Sequence, residues 1–113
     1  MRERTEAELR RQTTNGDSFA VFLYTPLCGT CKVAARMLDI VQAMRPDCEP
    51  GQANVNGLPK LLLEWQIESV PCLVHIENGR IRRKLYAFES VENVLQFLEP
   101  IYLKSNRKDE RSL

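Results

Sequence analysis

Cys28 and Cys31 stand two residues apart, just after the apolar run of residues 19–24 and the short segment Thr25-Pro26-Leu27. A Cys-x-x-Cys pair between a buried strand and a helix-patterned segment is the setting of a redox dithiol. With Cys28 ending the loop and Cys31 in the first helical turn, Cys28 lies over backbone N–H groups that no helical carbonyl satisfies. It also lies at the positive end of the helix dipole. Both effects favour the thiolate and lower its pKa, and the thiolate is the nucleophile of disulfide exchange. Cys31, one turn further in, can attack a mixed disulfide from within the protein. Two intervening residues let the sulfurs meet with some strain, which keeps the bond reducible.

The flanking pattern decides what surrounds this pair. Thr5-Glu6-Ala7-Glu8 fits a capping box and predicts a surface helix to about Gln12, with only Ala7 and Leu9 apolar. Phe19 to Tyr24 reads as a strand buried on both faces, the pattern of a central parallel strand. From Cys31 to Arg45, Val33, Ala34, Met37, Leu38, Val41 and Met44 recur at helical spacing, until Pro46 stops the helix. Ala53 and Val55 are candidates for a short strand, and Gly57-Leu58-Pro59 for a helix entry with Leu61, Leu62 and Trp65 inside. Val70 to Ile76 is the next strand, Asn78-Gly79 a hairpin turn, and Ile81 to Tyr86 a charged edge strand. Ser90 caps a last helix with Val91, Val94, Leu95, Leu98, Ile101 and Tyr102 on one face. The order predicts an α/β fold, a three-layer α/β/α sandwich with a central sheet.

Composition narrows the function classes. A chain of 113 residues, 43% hydrophobic, supports one domain over residues 1–104, followed by a polar tail over 105–113 expected to be flexible. The formal net charge is +1, which gives no strong field for nucleic acid or a membrane surface. The charged start, Met1 to Glu6, lacks an apolar signal core, and no run is long enough to span a bilayer. A cytoplasmic home is the expectation, and there four cysteines do not make a structural disulfide framework.

The order Cys28-Gly29-Thr30-Cys31-Lys32, Val70-Pro71 and Glu77-Asn78-Gly79 resembles the thioredoxin family, over roughly residues 18 to 102. The resemblance implies the thioredoxin fold with a mixed sheet, and a monomer. It makes Cys28 the attacking and Cys31 the resolving cysteine, and Pro71 a cis proline facing the pair. It also implies that Thr25, Leu27, Val70, Pro71 and Tyr86 meet the substrate. A cis Pro71 would let the Val70 backbone pair with an extended chain. The implied partners are protein or small-molecule disulfides, and a reductase or low-molecular-weight thiol as electron donor, with no metal or organic cofactor. The chain departs from the family at five positions. Leu27 replaces a tryptophan, Thr30 a proline, Phe22 a buried acid, Gln52 the acid's lysine partner, and Tyr86 a glycine of the docking loop.

Cys72 and His75 could complete a Cys3His zinc site with Cys28 and Cys31, but three residues apart on a strand they point to opposite faces. A non-catalytic binding module presenting Thr25, Leu27, Val70 and Tyr86 to a partner is the other alternative. Cys48 and Cys72 are expected to be inert thiols, His75 a core-edge residue, and Lys32 either a thiolate partner or a solvated lysine. Trp65 and Leu61-Leu62-Leu63 read as core, and Lys104, Arg107, Lys108 and Arg111, among Asp109 and Glu110, as a solvated end.

Overall fold

Every residue of Phe19–Tyr24 but the last is buried, and this run forms β1, an inner strand of a four-stranded sheet. The structure, a computed structural model, describes residues 1–103, so expectations for Lys104 to Leu113 lie outside the described residues. The sheet order is β2-β1-β3-β4, with β2 Gly51–Asn54, β3 Cys72–Glu77 and β4 Arg80–Leu85. β1 runs parallel to β2 but antiparallel to β3, so only the first crossover joins parallel strands. That crossover is α2, Gly29–Met44. The other helices are α1 Glu6–Thr14, α3 Pro59–Glu64 and α4 Val91–Tyr102.

The alternation of β1 separates two cores. Ala20 and Phe22 pack with Ala34, Leu38 and Val41 of α2 and Val94, Leu98 and Ile101 of α4. Phe19, Val21 and Leu23 pack instead with Leu9 of α1 and Leu58, Leu61 and Trp65 around α3. The result is the three-layer mixed-sheet arrangement expected.

Several boundaries move for physical reasons. The first helix ends at Thr14 rather than Gln12, and its predicted capping box is present. Val55 leaves the strand and opens a short 3₁₀ turn, with only Ala53 of the expected pair buried in β2. Val70 and Pro71 precede β3, since proline has no N–H for the ladder. Tyr86 lies just past β4. In α2, Val33 and Met44 are exposed, while Cys31, Ala34, Leu38 and Val41 are buried and Ala35 and Met37 pack at the edge of the core. Phe97, absent from the predicted apolar face of α4, is buried against His75 and Arg83. The N-terminal residues were expected to be merely charged. They add to the open edge of β2, where Gln52 N–H donates to Arg2 O and its carbonyl accepts from Arg4 N–H.

The Asn78-Gly79 turn holds both residues at positive φ, +53° and +80°. A Cβ on Gly79 would strike the Thr13 carbonyl oxygen at the end of α1, so this turn also docks that helix. Gly79→Ala is expected to cost about 2–4 kcal/mol, from left-handed strain plus a backbone clash. Chemical denaturation checks this; a loss under about 0.5 kcal/mol would refute the clash.

Candidate active site

Cys28 is the N-cap of α2, in extended conformation, so its side chain turns back over the first helical turn. Its Sγ accepts the Cys31 backbone N–H at 3.1 Å and lies 3.2 Å from the Thr30 hydroxyl. The loop is closed behind it by Cys28 N–H donating to Thr25 O at 3.3 Å. The Cys28 pKa is lowered, first by a hydrogen bond from the Cys31 thiol, then by Thr30 and the two backbone N–H groups. Cys31, 3% exposed, is pushed the other way, up to about 11, mainly because burial disfavours its charge and then by its hydrogen bond to Cys28. Both thiols are free. The pair thus consists of one accessible sulfur whose thiolate form is favoured and one buried sulfur whose thiol form is favoured.

The residues expected to meet a substrate surround the pair unevenly. Leu27 projects into solvent, 96% exposed, beside Cys28. Thr25 shares a pocket of about 200 Å³ with Cys31, Phe22, Tyr24, Lys32 and Gln52. On the other flank of α2, Pro71 and Tyr86 line an apolar groove of about 350 Å³ with Thr30, Val33, Met37 and Phe88. The Val70–Pro71 peptide is cis, as the resemblance implied. Val70 is half-buried and packs against both cores.

Two contributors escaped the sequence reading. Thr30 was noted only as a departure, yet its hydroxyl meets the Cys28 sulfur; a hydroxyl at the second helical position after an N-cap cysteine was the available signal. Glu3 was read as part of a charged terminus. Its carboxylate accepts from the Tyr24 hydroxyl at 2.9 Å, Gln52 Nε2 at 3.0 Å and Asn54 N–H at 3.2 Å, which steadies the wall of the pocket beside Cys31. Its partners lie far along the chain, and no local pattern reveals them.

The position expected for a buried acid holds Phe22, fully buried, stacked on Tyr24 and edge-on to Phe88. Lys32 is exposed, and its contact with Cys28 is a backbone N–H to carbonyl bond of 3.3 Å. Cys72 faces the α1–α3 core, its pKa pushed up to about 11 by burial, with Tyr86 opposing that rise. Cys48 is buried too, with its pKa raised by the same cause. His75 lies on the opposite sheet face from Cys72. Its Nδ1 accepts from Arg83 Nε at 3.0 Å, and its ring meets Phe97 edge-on. The strand therefore splits the Cys3His set, and no group of three or more metal-binding side chains is assembled among the described residues.

Comparison with known proteins follows the same lines. No family model matches the chain. It is 39% identical over 99 residues to the thioredoxin-like protein YusE of Bacillus subtilis, covering 88% of this chain and 92% of that one. It is 23% identical over 83 residues to a thioredoxin of Mycoplasmoides gallisepticum, covering 74% of this chain and 83% of the relative. A mutant thioredoxin from Halobacterium salinarum NRC-1 superposes with a TM-score of 0.73 at 18% identity, covering 89% of both chains. A chain from a study of thiol resolution in yeast mitochondrial 1-Cys peroxiredoxin reaches 0.72, also at 18% identity, over 88% of this chain and 93% of its own. With the sequence relative covering nearly its whole length, and the fold shared with solved thioredoxins, the chain belongs to the thioredoxin family.

Proposed function

We propose that this protein is a thiol–disulfide oxidoreductase working through Cys28 and Cys31. The family and fold support a thioredoxin-type redox function. The observation that carries the finer reading is the Cys28 sulfur, held at the N-terminus of α2 by the Cys31 N–H and the Thr30 hydroxyl. The Cys28 thiolate attacks one sulfur of a substrate disulfide, forming a mixed disulfide and expelling the other sulfur as a thiolate. Cys31, after losing its proton, attacks the Cys28 sulfur. A Cys28–Cys31 disulfide forms, the second substrate thiol departs, and two electrons have passed to the substrate. A partner reductase or a low-molecular-weight thiol returns them, and no metal or organic cofactor enters. Leu27, Thr25, Val70 and Pro71 dock protein or small-molecule disulfides, with Tyr86 as a wall of the groove. A monomer in a cytoplasmic, reducing setting suits this role. No helix among the described residues is long and apolar enough to cross a membrane.

Mixed-disulfide trapping tests the assignment. Cys31→Ser is expected to accumulate substrate adducts on Cys28, whereas Cys28→Ser forms none. Equal absence of adducts in both, with a Cys28 pKa not lowered from the ordinary thiol value, would instead make the fold a non-catalytic binding module.

A further inference from the structure

The loop of residues 66–71 leads from α3 to Val70 and Pro71 and takes no part in the sheet ladder. Its first residue, Gln66, sits at φ +54°, and Glu68 and Ser69 are exposed. Such a segment is free to move unless something outside it holds its backbone. Beyond the Ile67 N–H bond to Leu62 O at 3.0 Å and the packing of Ile67 and Val70, two hydrogen bonds from the edge of the sheet do so. Glu68 N–H donates to the Tyr86 hydroxyl at 3.2 Å, and Lys84 Nζ donates to Gln66 O at 2.9 Å. The same hydroxyl lowers the pKa of the buried Cys72 thiol, one residue beyond Pro71, against the larger rise from burial. Tyr86 therefore holds the chain two residues before Val70-Pro71, while its ring lines the apolar groove opposite Thr30.

We propose that Tyr86 is a positioning residue that favours extended polypeptide disulfides by fixing the Val70 backbone through its hydroxyl. This rests on the exchange chemistry proposed above. A polypeptide substrate must align its main chain along residues 68–71. A small disulfide needs only the Cys28 sulfur. Ordering this loop before encounter lowers the ordering cost of binding the first kind and does little for the second.

The test compares the full-length wild type with Tyr86→Phe, which keeps the ring and removes only the hydroxyl. Turnover is driven by dithiothreitol, with insulin as the polypeptide disulfide and hydroxyethyl disulfide as the small one. Loss of the tether is expected to raise KM for insulin about three- to tenfold with kcat within about twofold. The kcat/KM for hydroxyethyl disulfide should fall much less. Lys84→Met, removing the other tie, should shift KM for insulin in the same direction by a smaller factor. Equal effects on both substrates, or none on either, would overturn the positioning role while leaving the exchange reading intact. A wild type that turns over neither substrate would bring down that reading, and this inference with it.

Discussion

At pH 7, iodoacetamide is expected to alkylate Cys28 about three orders of magnitude faster than Cys31, Cys48 or Cys72. Ionisation supplies part of this. A thiol at about 11, as for Cys31 and Cys72, is a thiolate in only about one molecule in 10⁴ at neutral pH. Cys28, held below the ordinary 9.0, carries at least about a hundredfold more thiolate. Lower basicity also weakens a thiolate, and a sensitivity of about 0.4–0.5 returns roughly tenfold of that gain. Burial decides the rest. Cys31, Cys48 and Cys72 are reached only when the core opens, whereas Cys28 is partly exposed beside the fully projecting Leu27. The Cys31 thiol is the foremost cause of the lowered Cys28 pKa, so its replacement has a second signature. Cys31→Ala should raise the Cys28 pKa, while Cys31→Ser, which keeps a hydroxyl donor, should raise it less. Mass-spectrometric alkylation kinetics and ultraviolet thiolate titration read these out. Comparable labelling of all four cysteines would contradict the account.

What made this site legible in advance was locality. The N-cap position of Cys28, the first-turn position of Cys31 and the turn at Asn78-Gly79 follow from residues close together in the chain, and each appears where the pattern placed it. The thioredoxin resemblance added the cis Val70–Pro71 peptide, which no periodicity could supply. The misplacements are non-local. The pairing of the N-terminal residues with β2 depends on Glu3 meeting Gln52, 49 positions away, and Phe97 packs under Arg83 of β4, 14 positions away. Val33 and Met44 fit a helical stripe, but both project into solvent rather than onto a neighbouring element. Tyr86 was read as a substrate-facing residue in place of a glycine of the docking loop. Its hydroxyl bond to Glu68 depends on a loop whose path the sequence does not fix.

The resolving step should accelerate about tenfold for each pH unit between about pH 6 and 9. Cys31 attacks only as a thiolate, and its pKa of about 11 is set first by burial, which persists when Cys28 is tied to a substrate. The contribution of Cys28 as hydrogen-bond acceptor and charge weakens in the mixed disulfide, so the working value falls between the ordinary 9.0 and about 11. The pocket against Cys31 offers little help. Its described lining is Phe22, Tyr24, Thr25, Pro26, Lys32, Ala35 and Gln52, without a carboxylate. Tyr24 is a poor proton acceptor as well as a poor acid, with its own pKa pushed up to about 12 by burial and by its bond to Glu3. In a preformed adduct, with no expelled substrate thiolate at hand, the proton must therefore leave to water through a pocket lined by aromatic, amide, hydroxyl, aliphatic and lysine side chains. Mixed disulfides on Cys28 should consequently persist at neutral pH and clear rapidly in mild alkali. Stopped-flow release of a chromophoric thiol from a preformed Cys28 adduct measures the step directly. A rate that is flat from pH 6 to 9 would mean that a group on the protein takes the Cys31 proton, and that the exchange of an acid for Phe22 has been compensated elsewhere.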